Sequence, residues 1–483
     1  MRGEFLGYRD GIVLAQREWA ERPLRERIGL MARLRRSMAA GARELAETVP
    51  TDLPGALHRT VADTLAAEVL PLIEACRFLE REAGGVLRTR RLGDRGRPLW
   101  LGGVQTEVER APLGIVLVVG AANYPLLLAG VQTIQALVAG NAVLWKPAPG
   151  TATTAFALRT MLLECGLRGE LLTLLDADAE SVQEAIETGV DHVVLTGSAE
   201  TGKAVLRQLA ERLTPATMEL SGCDAVFVLP GFAMEHTVRA LVFGLRFNGS
   251  FTCMAPRRVF LVGLQEAEKF EMQLAIAAQG LTAVPVPAKT EALLWELMED
   301  ARAEGATVVL DGLSGHTHAA GATLISRATP AMLAMQTDVF APLLSVMRTA
   351  DVDEALAANA VCPYALTAAI FGTETEARRL ASRLSVGNVV INDVVIPTVD
   401  PRAPFGGRGR SGFGVTRGAE GLLAMTAPRT VQMQRRRDKR PYEATGDGHV
   451  ELFAALAQML HGGGLRSRWN GWKRLMRAGR KLK

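Results

Sequence analysis

Gly114-Ile115-Val116-Leu117-Val118-Val119-Gly120-Ala121-Ala122-Asn123-Tyr124-Pro125 lies in a run, residues 113–145, without a single charged side chain. A run of that length raises the question of a membrane span. Its punctuation reads otherwise. Residues 114–119 form a buried-strand pattern, 120–125 a turn of small residues closing on Pro125, and 126–138 a buried helix. A second apolar strand, Ala142-Val143-Leu144-Trp145, then ends at Lys146-Pro147. Further strand candidates at 171–175, 192–195 and 225–229, separated by helical stretches, extend this to a β-α-β-α-β series with a parallel sheet. Ligands of such sheets sit at the carboxyl ends of the strands. Asn123, Lys146 and Gly197 fall there.

Working outward, residues 17–47 read as a helix with Leu24, Ile28, Met31, Leu34 and Met38 on one face, and 60–82 as a second helix. Residues 88–110 are basic, Gly-rich and extended, the pattern of a projecting arm. Beyond residue 253 the alternation resumes. Strands are expected at 258–262, 307–310, 344–347, 366–371 and 388–391, and helices at 266–278, 291–304, 352–359 and 374–384. The fold class is α/β, with two parallel-sheet units and a cleft between them for a ligand.

The 483 residues suffice for two or three domains. Cys76, Cys165, Cys223, Cys253 and Cys362 are odd in number, scattered and free of any CxxC, which points to a reducing, cytoplasmic setting and away from a disulfide framework or a zinc site. The first ten residues carry charge throughout, so no signal peptide is expected. The formal net charge of +4 hides an asymmetry: residues 434–483 hold 13 Lys and Arg against 4 Asp and Glu, so the rest of the chain is mildly acidic.

The chemistry-bearing residues are few. Cys253 stands between a small-polar loop and a strand, where a thiolate can attack an electrophilic carbon, although a lone Cys is more often a buried apolar filler. Residues 195–203 carry a strand end into a helix through Gly197-x-x-x-x-Gly202, a turn whose N–H groups can face a phosphate or serve as an ordinary βα connection. Glu219 closes an apolar run, as a general base for water or an exposed loop carboxylate. Asn123 is a turn former or an amide donor to an oxyanion. Lys146 caps a strand or binds a ribose hydroxyl. His316 and His318 have ligand spacing but sit in a loop without a third ligand, so no metal is expected.

Together these stretches resemble the aldehyde dehydrogenase superfamily. The matches are Asn123-Tyr124-Pro125, Lys146-Pro147-Ala148, Thr196-Gly197-Ser198 with Gly202, Glu219-Leu220 with Gly222, Asn248 with Cys253 and Arg258, and Pro404-Phe405-Gly406-Gly407 with Ser411-Gly412. The resemblance implies two Rossmann-like parallel-sheet α/β domains: an NAD(P)-binding domain at 1–87 and 111–220, and a catalytic domain at 221–424. An oligomerisation arm at 88–110 and 425–434 would make a homodimer or higher oligomer, leaving 435–483 as a tail. It implies Cys253 as the nucleophile, Asn123 with the Cys253 N–H as oxyanion hole, and Glu219 as the base that hydrolyses a thioester. NAD or NADP would be held by Lys146, Thr196, Gly197, Ser198, Gly202, Leu220, Asp338 and Phe340.

Several positions depart from the family. Its G-Q-x-C reads Ser250-Phe251-Thr252-Cys253, and its E-I-F-G-P reads Asp338-Val339-Phe340-Ala341-Pro342, one methylene shorter at the ribose acid. Ala122 replaces a large residue before Asn123, and Pro149 replaces an acid that disfavours a 2′-phosphate. Phe247, Phe251 and Met254 around Cys253 point to an apolar, long-chain aldehyde, and residues 404–426 are similar to bacterial enzymes acting on carotenoid aldehydes. The rivals are a CoA-acylating or semialdehyde enzyme, and a catalytically silent membrane scaffold. Residues 450–460 read as a short helix. Residues 465–483 read as a basic amphipathic helix for an anionic membrane surface or as a frayed tail, with no nucleic-acid motif beside it.

Overall fold

The computed structural model describes residues 2–51, 59–315, 318–435 and 445–481. The chain divides into two compact units, Met1–Arg90 with Val108–Thr430, and Arg91–Glu107 with Val431–Lys483.

The large unit is built on two sheets. Strands β1 (Ile115–Val119), β2 (Ala142–Lys146), β3 (Leu172–Leu174), β4 (His192–Gly197) and β5 (Ala216–Leu220) run parallel in the order β5-β4-β1-β2-β3. The order reverses at β1, which opens a crevice beyond the carboxyl ends of β1 and β4. Helix α1 (Leu127–Ala139) is buried at every residue, so the charge-free run is a core strand, turn, helix and strand, and helix α2 (Ala199–Ala210) follows β4. Among the described residues no helix is long and apolar enough to cross a membrane.

The second sheet comprises β6 (Asp224–Val228), β7 (Pro256–Val262), β8 (Thr307–Leu310), β9 (Thr323–Ser326), β10 (Leu343–Thr349), β11 (Thr367–Phe371) and β12 (Asn388–Ile391). Their order is β8-β9-β10-β7-β6-β11-β12, parallel except where β8 meets β9. A last strand, β13 (Gly412–Phe413), returns to the first sheet and pairs antiparallel with β5, placing Gly412 opposite Glu219.

Three expectations need correction, and one strand was not anticipated. Residues 225–229, expected to extend the first β-α-β series, belong to the second sheet as β6. The first sheet takes β5 instead, because the chain crosses between sheets at Ser221–Cys223. There Gly222 is obligatory, since a Cβ would stand 2.7 Å from the Cys253 carbonyl oxygen. Residues 17–47 are not one helix. Arg2–Glu21 ends before Pro23, whose extended ψ of 137° starts a new axis for Leu24–Ala40. Thr323–Ser326 was not anticipated as a strand. It is four residues long, with no alternation to mark it.

Helix 60–82 is also interrupted, by a wide π turn over Leu65–Val69 before Leu70–Val86. The turn carries Glu68, fully buried, whose carboxylate accepts from the backbone N–H groups of Leu126 (2.7 Å) and Leu127 (2.8 Å). An acid there satisfies donors that α1 cannot pair itself and complements its dipole. Glu68 is ion-paired with the equally buried Arg59, whose guanidinium lies 5.7 Å from the Tyr124 ring centroid. Arg90–Leu92, Val104–Pro112 and Thr426–Gln434 make a separate three-stranded sheet.

In the small unit, α3 (Asp447–His461) and α4 (Gly464–Lys481) form an antiparallel hairpin.

Removing one partner of a buried ion pair leaves the other charged and unpaired. Glu68→Ala should therefore lower stability by about 3–5 kcal/mol in denaturant unfolding. A loss below about 1 kcal/mol would show that the pair does not anchor α1.

Candidate active site

A cavity of ≈ 320 Å³ opens at the crevice, lined by Ala121, Ala122 and Asn123 after β1, Thr196, Gly197 and Ser198 after β4, and Glu219, Leu220 and Ser221 at the end of β5. Phe251, Cys253, Asp338 and Phe340 close it from the second sheet's side. Of the residues singled out in the sequence, Asn123, Thr196, Gly197, Ser198, Glu219, Leu220, Cys253, Asp338 and Phe340 meet here. Lys146 and Gly202 do not line it. Lys146 ends β2, nine-tenths buried, its ammonium lowered by burial and partly restored by Asp178. Gly202 lets its helix approach Leu220, because a Cβ would lie 2.9 Å from a Leu220 methyl.

The loop before Cys253 has an unusual backbone. Asn248, Gly249 and Ser250 have φ of 52°, 59° and 67°, three successive left-handed residues. For non-glycine residues that conformation costs about 1–2 kcal/mol each, so it requires fixing. Arg257, fully buried, donates from Nη1 to the Ser250 hydroxyl (2.7 Å) and the Ala341 carbonyl (2.8 Å), and from Nη2 to the Ser250 carbonyl (2.6 Å). Asn248 Nδ2 donates to the carbonyls of Asn123 and Phe251, both at 3.1 Å, and Asn123 Nδ2 to that of Phe251 at 3.1 Å. Tyr124 and Thr252 hydroxyls lie 2.7 Å apart. The Cys253 loop is thus stitched to the turn that presents Asn123.

Cys253 is partly exposed. Burial of its thiol, then the carboxylates of Glu219 and Asp224, push its pKa up, and the Arg417 guanidinium opposes them. Glu219 is buried. Its Oε2 accepts from the Thr416 hydroxyl (3.1 Å), whereas Oε1 is buried without a partner among the described residues. Burial raises this carboxyl, and Arg417 and the Thr416 hydroxyl pull it back. Arg417 is itself buried, at φ 61°, with Nη1 on the Thr398 carbonyl (2.7 Å) and its guanidinium 4.8 Å from the Phe405 ring centroid. Asp338 is pushed up to about 6 by burial, against Arg257 and the Ser221 hydroxyl.

Thr416, Arg417 and Arg257 carried no motif of their own. Their one sequence signal was nearness to Pro404-Phe405-Gly406-Gly407 and to Cys253. Of the three apolar residues expected around the cysteine, Phe251 lines the cavity with Phe340, their centroids 6.0 Å apart. Phe247 stacks on Phe243, and Met254 sulfur accepts from Thr398. Cys223 is buried against Cys362. His316 lies outside the described residues, and His318 pairs through Nδ1 with Glu291 at 3.0 Å.

Ser198 caps its helix Ala199–Ala210, accepting from the Thr201 N–H at 3.1 Å, so this helix start and the buried ammonium of Lys146 offer donors to a dinucleotide. The residues present fit such a group. The arrangement sets a thiol, an amide donor and a half-satisfied carboxylate around one cavity, which suits covalent chemistry on a carbonyl followed by attack of water.

Comparison with known proteins gives the same direction. The family model described as "Aldehyde dehydrogenase family" matches residues 13–431. The chain is 28% identical over 462 residues to a 4,4'-diapolycopene aldehyde oxidase from Methylomonas sp, covering 92% of this chain and 84% of that one. It superposes with a TM-score of 0.80 on the NADP complex of an NADP-dependent glyceraldehyde-3-phosphate dehydrogenase from Bacillus halodurans C-125, at 26% identity over 90% of this chain and 92% of the other. A betaine aldehyde dehydrogenase from Staphylococcus aureus in complex with NAD+ superposes with a TM-score of 0.78 at 23% identity, over 90% and 89% of the two chains. With fold, site residues and family model in agreement across most of its length, the chain belongs to the aldehyde dehydrogenase family.

Proposed function

We propose that the enzyme oxidises an apolar, long-chain aldehyde to its carboxylic acid with NAD or NADP. The observation that carries this reading is the shared cavity of Cys253, Asn123 and Glu219, with Glu219 Oε1 left unpaired. Cys253 Sγ releases its proton to solvent and bonds to the aldehyde carbon. The oxyanion so formed accepts from Asn123 Nδ2 and the Cys253 N–H. A nicotinamide bound beside Cys253 would supply the hydride acceptor, and loss of hydride from this carbon leaves a thioester on Cys253. Glu219 Oε1 then takes a proton from water, whose oxygen attacks the thioester and releases the acid and the thiol.

Lys146 would hold the adenosine ribose, Ser198 and the neighbouring N–H groups the pyrophosphate, and Asp338 with Phe340 the nicotinamide end. Phe251 and Phe340 support an apolar substrate, as does likeness to an enzyme named for a diapolycopene aldehyde. Retention of a buried Glu219 favours hydrolysis over transfer to CoA, and the assembled cavity favours turnover over a silent scaffold. The free cysteines suit a reducing, cytoplasmic setting. Thr426–Gln434, an edge strand exposed at eight of nine residues, suits a homo-oligomer, and residues 465–483 an anionic membrane surface.

Glu219→Gln should leave a rapid burst of reduced cofactor followed by turnover slowed at least ~100-fold. Equal loss of burst and steady rate would contradict the assignment of the base. Thr416→Val removes a donor to the carboxylate, which disfavours its charged form. The acid limb of the deacylation profile should move to higher pH, and Thr416→Ser should restore it. An unmoved limb would mean that Thr416 does not tune Glu219.

Pro149 is exposed and carries no charge to repel a 2′-phosphate. NADP should be used with a kcat/KM within about a hundredfold of NAD, and Pro149→Glu should shift preference toward NAD. A shift toward NADP would place the discrimination elsewhere.

A further inference from the structure

The α3–α4 hairpin is packed inside out. Its two helices meet through small residues: Ala455 and Ala478 are buried, and a Cβ on Gly471 would stand 2.3 Å from the Met459 nitrogen. Large apolar residues face solvent. Leu465, Trp469, Trp472 and Met476, spaced i, i+4, i+7 and i+11 along α4, share one face and are 88%, 54%, 42% and 47% exposed. The two indoles stack with centroids 4.8 Å apart, and Lys473 Nζ lies 5.5 Å from the Trp469 ring centroid. Val450 and Phe453 of α3 are exposed as well.

Charge tells what such a face meets. Helix α4 carries Arg466, Arg468, Lys473, Arg474, Arg477, Arg480 and Lys481 and no acid. Arg474 is tied to Glu451 of α3 at 2.7 Å, and the Arg468 Nε–H to the Gly462 carbonyl at 3.0 Å. By helical spacing Arg480, Lys473, Arg466 and Arg477 flank the apolar stripe on one side. Aromatic rings with one polar edge, bordered by long cationic side chains, match the boundary between acyl chains and anionic headgroups.

We propose that the Leu465–Trp469–Trp472–Met476 face of α4 is a docking surface for an anionic bilayer. The hairpin lies along the interface, the stripe enters the headgroup boundary, and the flanking cations meet lipid phosphates. This deepens the membrane reading above and is independent of the aldehyde chemistry, which stands if it fails.

The test is co-sedimentation of the full-length protein with phosphatidylcholine vesicles, with and without phosphatidylglycerol, at low and high salt. Wild-type protein should bind the anionic vesicles, bind neutral ones weakly, and keep part of its binding at high salt, where only the charge contribution is screened. Trp469→Ala with Trp472→Ala should lose the salt-resistant part. Arg466→Gln with Arg477→Gln and Arg480→Gln should weaken low-salt binding ~100-fold. Turnover of a short soluble aldehyde should be unchanged in all variants, which controls for folding. Absence of wild-type binding would overturn the membrane reading itself. Binding that survives the tryptophan change within about twofold would overturn the assignment of the face. Self-association without lipid, abolished by the same tryptophan change, would assign the face to a second copy of the chain and overturn the proposal.

Discussion

One buried guanidinium holds the active-site cavity in shape. Arg257 reaches back from the start of β7 to hold both the hydroxyl and the carbonyl of Ser250, and across to the carbonyl of Ala341. The first two bonds fix a left-handed backbone that a serine does not adopt freely. The third ties that loop to the segment carrying Asp338 and Phe340, which closes the same side of the cavity. Burial lowers the guanidinium's pKa, and the groups that face it, Asp338 foremost, oppose that shift. A side chain that satisfies three oxygens at once brings two separate stretches of chain to a single geometry.

Burial also sets the chemistry of the site. Glu219, Asp338 and Cys253 all have their charged forms disfavoured by burial, and each is answered by a guanidinium, Arg417 for Glu219 and Cys253 and Arg257 for Asp338. The two buried arginines therefore offset part of the cost of negative charge in the cavity. A glutamate with one oxygen held by Thr416 and the other unpaired is oriented toward work on a small molecule, because an unpaired buried oxygen contributes nothing to the fold.

Much of this was legible in the sequence because it rests on local rules. The charge-free run gave its own punctuation through Gly120, Asn123 and Pro125, and ordered motifs placed Cys253, Glu219 and Gly197 before any geometry was known. What stayed hidden depends on pairings between distant residues. Thr416 reaches Glu219 only because β13 returns to pair with β5, and Glu68 caps α1 from a π turn no propensity announces. The crossing at Gly222 moved one strand from the first sheet to the second, because a short turn joins strands in different sheets as readily as in one. Gly202 read as either a phosphate glycine or part of an ordinary βα turn, and the structure shows it packing its helix against Leu220, which spacing alone does not reveal. In the tail, the apolar periodicity and the helix at 450–460 were visible, but their pairing, which turns small residues inward and tryptophans outward, was not.

The central claim is that oxidation proceeds through a covalent acyl group on Cys253 which Glu219 hydrolyses. Mass spectrometry of the Glu219→Gln protein, quenched in acid after mixing with aldehyde and oxidised cofactor, tests this most directly. The account predicts an adduct of the acyl mass on the Cys253 peptide, formed only when the cofactor is present. An unmodified Cys253 peptide after a measured burst of reduced cofactor, or an adduct on another cysteine, would contradict it.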